Sequence, residues 1–333
     1  MTISLIPLGN LPVKVSRLGL GLAALGRPGY INLNHGEDLN FSYGVAQMEA
    51  HTHSVLDLAW KEGIRYFDVA QSYGKAEEFL ASWIRKRDLP LDAIAVGSKW
   101  GYTYTAKWQV QAQVHEVKDH NLDTFSRQWA SSQKRLGNHL DLYQVHSATF
   151  SSGILGKTEV LEALVRLKEK GIGIGMSVSG PEQGEVIRAA LMSEVDGVPV
   201  FDSFQATWNV MEPSAGEALT LASQMGKGII IKEALANGRL TTRNTHPHFT
   251  ETLHFLQAIA QSYDTTIDAL LLKIALQQDW IHVVLSGAGK ASHIQSNVKA
   301  LQLPRIIEET EILERAKMSV DAYWTERKSL NWN

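Results

Sequence analysis

The sequence predicts a single (β/α)8 barrel. Strand-length apolar runs alternate with helix-length segments eight times within 333 residues. Several helix-to-strand joints carry glycine, at Glu62-Gly63, Lys170-Gly171 and Lys227-Gly228, where a helix stop needs a left-handed cap. Three successive strand runs finish on ionisable residues, Asp68, Lys99 and His146, and the C-terminal ends of barrel strands are where chemistry sits. A doubly wound sheet is the alternative for such alternation. No composition shift or linker divides the chain, so residues 1–333 read as one domain.

The elements follow in order. Residues 3–18 suggest a hairpin, because ISLIPLG and PVKVSRL flank the turn Gly9-Asn10-Leu11-Pro12. The first barrel strand is expected over 17–22, followed by an aperiodic loop over 27–45. Helices are expected at 47–62, 76–87, 121–136, 158–170, 182–193 and 213–225, then as a pair at 249–262 and 266–278. The strands between them are 64–68, 93–98, 141–145, 172–176, 203–206, 228–231 and 281–285. A helix at 290–301 and a last one at 305–323 close the chain, with Trp324 and Trp332 expected to pack over the barrel or against another subunit.

Composition narrows the function. The chain is 44% hydrophobic and carries 32 basic against 35 acidic residues, a net charge of −3, with no basic tract. A nucleic-acid partner is not expected. There is no cysteine, which excludes disulfides, a thiol nucleophile and thiolate metal sites. The N-terminal stretch lacks the pattern of a secretory signal, and no apolar run is long enough to span a bilayer. A soluble cytoplasmic protein is the expectation.

Three patterns fall short of a site. Gly19-Leu20-Gly21-Leu22-Ala23-Ala24 fits a dinucleotide fingerprint, with Glu37 and Asp38 beyond it, but Arg27-Pro28-Gly29 and an aperiodic loop follow where a helix is required. His51/His53 and His246/His248 are spaced by two, which does not place side chains on one helix face, and they read as solvated or capping residues. Gly175-Met176-Ser177-Val178-Ser179-Gly180 comes nearest to a nucleophile elbow and does not fit one.

The strand-end set is the stronger signal. In GIRYFDVAQSYG, Asp68 ends a strand and Tyr73 follows five residues later. A lysine at Lys99 is poorly tolerated inside a barrel unless paired, and Asp68 on the adjacent strand is the evident partner. A cation near Tyr73 is expected to lower the phenol below its ordinary value and ready it as a proton donor, with His146 orienting a carbonyl oxygen. With no serine or cysteine nucleophile in place, a cofactor hydride is the natural attacking group.

These residues and their surroundings resemble the aldo-keto reductases. The likeness spans nearly the whole chain: the hairpin entry ending LGLG, then FDVAQSYG, SKWG, RLGNHLDLYQVH, GMSVSG, FQATWN and SGAGKASHIQSN. It implies a (β/α)8 barrel that binds NADPH, or less often NADH, without a Rossmann domain. It implies a catalytic tetrad of Asp68, Tyr73, Lys99 and His146. On the cofactor side it implies Gly21 at the first strand end, then Ser177 and Gln205 at the carboxamide, with Val178 where asparagine is usual. Lys232 stands where an aromatic ring usually stacks. Leu235, Ala236 and Asn237 correspond to the loop around the diphosphate. Gly287, Ala288 and Gly289 correspond to the adenosine-side phosphate loop. His293 occupies a position usually Arg or Gln, Asn297 the adenine contact, and Lys290 adds a cation. No acidic residue lies in 287–297, which favours NADPH.

The substrate is expected to be a small carbonyl compound held by Trp100, Tyr102, Tyr104 and Trp108, together with residues 27–43. The expected activity is reduction of an aldehyde or ketone. Oxidation of a sugar or alcohol, a non-catalytic nicotinamide-binding subunit, and a barrel hydrolase or lyase are the alternatives.

Overall fold

A computed structural model describes residues 4–333. A short antiparallel hairpin, β1 (Leu5–Pro7) and β2 (Lys14–Ser16), opens the chain. The expected start of that hairpin, residue 3, lies outside the described residues. Leu8 and Val15 pack with Tyr66, Ala95, Leu142, Ile230 and Val283, so the hairpin closes the bottom of the barrel with an apolar plug. Gly9, at φ +59, turns there with its α-carbon against the backbone of 226–228, an approach that leaves no room for a side chain.

Strands β3 (Leu18–Gly21), β4 (Tyr66–Asp68) and β5 (Ala95–Trp100) follow. An outer pair, β6 (Tyr102–Tyr104) with β7 (Glu116–Lys118), precedes β8 (Leu142–Ala148) and β9 (Gly173–Val178). A second outer pair, β10 (Glu194–Val195) with β11 (Val198–Pro199), precedes β12 (Ser203–Thr207), β13 (Gly228–Lys232) and β14 (Val283–Ser286). The eight long-range strands pair in parallel, and β14 closes on β3 through Val284↔Leu18 to Ser286↔Leu20. The fold is the predicted (β/α)8 barrel.

The helices are α1 (His35–Asp38), α2 (Val45–Lys61), α3 (Ala76–Arg87), α4 (Leu122–Leu136), α5 (Thr158–Lys168) and α6 (Gln183–Leu191). They continue with α7 (Gly216–Gln224), α8 (Thr250–Ser262), α9 (Ile267–Leu276), α10 (Ala291–Asn297), α11 (Glu309–Ala316) and α12 (Val320–Ser329). Local chemistry sets their ends. Asn121 accepts from Thr124 N at 2.7 Å to start α4. Helix α3 begins with Glu77 and Glu78 and ends with Arg85, Lys86 and Arg87, complementing its dipole.

Four local expectations change. The loop over 27–45 contains α1, and the segment after β5 folds back as β6–β7. The expected last helix at 305–323 is two helices, because Ser319 caps a new start by accepting from Ala322 N. Gly63 and Gly171 are left-handed as expected, at φ 87 and 88, but at the third joint Gly226 takes that role, at φ 77. Gly228 instead begins β13, where a β-carbon would stand 2.7 Å from Leu8.

Candidate active site

Barrel register places the first functional groups. Asp68 pairs with Gly97 across β4–β5, and Lys99 with Gln144 across β5–β8, so the three strand ends reach one rim together. Asp68 and Lys99 are buried and form a direct ion pair. The ammonium also donates to Val69 O at 3.1 Å and lies 3.4 Å from the Tyr73 hydroxyl. All its protons therefore have acceptors. The second carboxylate oxygen of Asp68 accepts from Gln205 at 2.9 Å, Gln144 at 3.3 Å and the Tyr66 hydroxyl at 3.4 Å. A buried charge pair needs such saturation to persist.

Tyr73 sits above this pair, with its ring centroid 4.7 Å from Lys99 Nζ. The His146 ring meets it edge-on at 5.5 Å. Burial and then Asp68 push the Tyr73 phenol well above its ordinary value, opposed by Arg27. The expected lowering by Lys99 does not prevail, because Asp68 neutralises that ammonium and the phenol is buried. Burial, then Lys99 and Lys232, hold His146 well below the usual imidazole range. At neutral pH the pair is a protonated phenol beside a neutral imidazole. Ser72 Oγ lies 3.5 Å from His146 Nδ1, too long to fix the tautomer.

A cavity of about 820 Å³ runs from Asp68, Tyr73 and His146 to Gly287, His293 and Asn297. Gly21, Gln205, Lys232, Leu235 and Asn237 line it. Gly21 leaves room, since a β-carbon there would come no closer than 3.7 Å to Ser286 O. Lys232 donates to Thr207 Oγ1 at 3.1 Å. Burial lowers it to about 8 against the pull of Glu233. Glu233 is held in turn by Arg327 of α12, with Nε–Oε2 at 2.8 Å. The carboxyl, which burial alone would raise, is drawn down to about 2 by Arg327 and Lys232.

Other expected positions are placed differently. Ser177 is buried behind the wall, where it accepts from Ser147 N at 2.8 Å, and Val178 is core. Gly289 lies behind the cavity, its carbonyl 2.6 Å from His51 Nε2. Asn297 has both ends occupied, accepting from Ser286 Oγ at 2.7 Å and donating to Asp268 at 2.8 Å. Trp100 does not line the cavity. It is buried outside the barrel wall, 5.0 Å from the Phe125 ring, because its side chain points toward α4. Tyr102 touches the site only through His146, at 5.0 Å between rings. Trp108 packs against Phe79 of α3, 6.2 Å between rings, and donates to Tyr43 O at 2.6 Å.

The substrate-side wall is built instead from Arg27, Tyr30, Glu116 and Trp332. Arg27 lies 5.3 Å from the Tyr73 ring and 4.6 Å from that of Trp332, and pairs with Glu116 at 3.0 Å. Trp332 stacks on His115 at 4.0 Å, and the backbones of Tyr30 and Asn333 exchange two hydrogen bonds. Trp324 packs into the core, so of the two tail tryptophans only Trp332 reaches the mouth. Arg27, Tyr30 and Asp38 fall within the expected stretch 27–43. Glu116, Glu233, Arg243, Arg327 and the cavity role of Trp332 carried no local signal.

The residues present fit a dinucleotide. The cavity runs between the Tyr73 phenol and the loop at Gly287, and Asn237 Oδ1 and Thr265 Oγ1 are buried in its wall without partners. The fingerprint at 19–24 opens no helix; the next helix, α1, begins only at His35. Among the described residues no cluster of three His, Asp or Glu is placed to hold a metal, and no helix is long and apolar enough to cross a membrane.

Comparison with known proteins agrees with this fold. The family model described as "Aldo/keto reductase family" matches residues 17–317. Norsolorinic acid reductase B of Dothistroma septosporum is 24% identical, over 91% of this chain and 79% of its own length. The NADH-specific methylglyoxal reductase of Escherichia coli is 24% identical, over 90% of this chain and 93% of its own. Among solved structures, an aldo-keto reductase from Bacillus halodurans in holo form superposes with a TM-score of 0.71 at 21% identity, covering 95% of this chain and 97% of that one.

Proposed function

Because the chain belongs to the aldo/keto reductase family, an oxidoreductase family acting on carbonyls and alcohols through a nicotinamide cofactor, we propose that it reduces an aldehyde or ketone to an alcohol with Tyr73 as proton donor. The observation that carries this reading is the convergence of Tyr73, His146 and the buried Lys99–Asp68 pair on one end of the cavity. When bound, the reduced nicotinamide supplies the hydride.

The chain's own groups do the rest. The neutral His146 orients the carbonyl oxygen and Tyr73 gives that oxygen its proton. Lys99, 3.4 Å from the phenol oxygen, stabilises the negative charge left behind, and Asp68 holds Lys99 in place. Gln205, Lys232, Leu235, Asn237, Gly287 and His293 are the cavity-lining residues that would hold the dinucleotide. Gln205 already gives its amide N–H to Asp68, which leaves its carbonyl oxygen for a carboxamide.

The reductant is NADPH or NADH. Residues 287–297 carry no acidic group, which favours NADPH. The fold brings Asp38 against Lys290 and His293 there, which opposes that preference. The NADH-specific name of the E. coli relative supports keeping NADH in view. Arg27, Tyr30 and Trp332 suit a carbonyl compound with a polar or ring portion.

Tyr73→Phe tests the reading. Turnover with an aldehyde panel should fall about a thousandfold while cofactor affinity, read by tryptophan quenching, stays within about twofold. A variant with near-normal turnover refutes the role of Tyr73. Tight dinucleotide binding by the wild type without turnover would favour a non-catalytic subunit.

A further inference from the structure

We propose that Asp38 selects the cofactor: its carboxylate occupies the cations that a 2′-phosphate would need, so the protein favours NADH over NADPH. This rests on the reading of the cavity as a dinucleotide site.

Asp38 ends the short helix α1, far from the adenosine-side residues in sequence, yet lies among them and is only 4% exposed. Both its oxygens are engaged by the guanidinium fork of Arg243, with Nη1 at 2.8 Å. Such a two-pronged pair is the geometry in which arginine otherwise takes a phosphate. Lys290 Nζ stands 3.1 Å from the same carboxylate and His293 Nε2 3.7 Å. Gly289 permits the approach, since a β-carbon there would stand 3.1 Å from that of Asp38. Asp38, Arg243 and His293 line the same cavity as Tyr73.

Charge decides the preference. Arg243 and Lys290 contribute two positive charges, Asp38 removes one, and burial disfavours a charge on His293. A phosphate monoester brings about −1.5 to −2. With Asp38 in place the cluster would end with excess negative charge, and the phosphate would face a carboxylate whose partners are already taken. A free ribose hydroxyl is neutral and can donate to that carboxylate, as acidic residues do in NAD sites of other folds.

The test is the ratio of dissociation constants for NADPH and NADH, measured by tryptophan quenching at fixed ionic strength on wild type, Asp38→Asn and Asp38→Ser. Wild type should bind NADH about tenfold or more tightly than NADPH, and either substitution should shift the ratio toward NADPH by about tenfold or more. A wild type that binds NADPH as tightly as NADH overturns the proposal even if neither variant folds. So does a ratio that both folded variants leave unmoved. If wild type binds neither dinucleotide, the cofactor reading itself falls; if it binds both and the ratio is unmoved, only the role of Asp38 falls.

Discussion

The two ends of the cavity are both built from buried charge, but they are held in different ways. At the proposed catalytic end, Asp68, Lys99 and His146 stand on β4, β5 and β8, adjacent strands whose register fixes their spacing, and Tyr73 follows within one turn. At the proposed adenosine end, Asp38 and Arg243 are 205 residues apart and meet from the end of α1 and the segment after β13, with Lys290 and His293 from a third segment. No ladder of backbone hydrogen bonds sets their distance. The proposed catalytic end is therefore fixed by strand register, while the proposed adenosine end depends on charge balance and is open to retuning by single substitutions.

Removing one charge from each end separates these behaviours. Lys99→Met leaves Asp68 buried and uncompensated, which should cost about 3–5 kcal/mol of stability and abolish turnover. Arg243→Met, at a pair whose arginine side chain is 21% exposed, should cost less than half of that and weaken dinucleotide binding, while turnover at saturating cofactor persists. Urea midpoints with activity measured beside them check both; equal losses would erase the distinction.

Acid acts on both ends through buried histidines. His35, beside Tyr30 on α1, and His120, under His146, are each lowered by burial to about 4 from an ordinary 6.5. Between these values the unfolded chain binds more protons than the folded one. Stability should be intact above about pH 6.5 and fall toward pH 4, by roughly 3 kcal/mol per histidine. Thermal midpoints across that range test this, and a flat profile contradicts it. The smallest contrast lies at the substrate mouth. Trp332→Ala should raise KM several-fold, whereas Trp100→Phe, off the cavity, should leave it within about twofold.

The same difference explains what could be read from the chain. Strand-end residues announce themselves, because an apolar run that stops on Asp68, Lys99 or His146 fixes both the element and its rim. Side-chain direction along a strand is harder. Trp100 follows Lys99 and points to the opposite face of the sheet, which the period of two implies once register is known. Long-range ion pairs leave no local pattern. Asp38 in an aperiodic loop, Arg243 in a turn region, and Arg327 holding Glu233 across 94 residues became visible only when the barrel brought them together. Local propensity was a better guide to helix existence than to helix ends, as the break before Ser319 illustrates.

In the proposed reaction, hydride reaches a carbonyl carbon from a dinucleotide while Tyr73 supplies the proton to oxygen. The most direct measurement follows label from NADH or NADPH carrying deuterium at the transferable position of the nicotinamide, incubated with an aldehyde in ordinary water. The account predicts one deuterium on the carbinol carbon of the product with the wild type, and almost no product with Tyr73→Phe. Unlabelled alcohol, or labelled product formed equally well by both proteins, would contradict it.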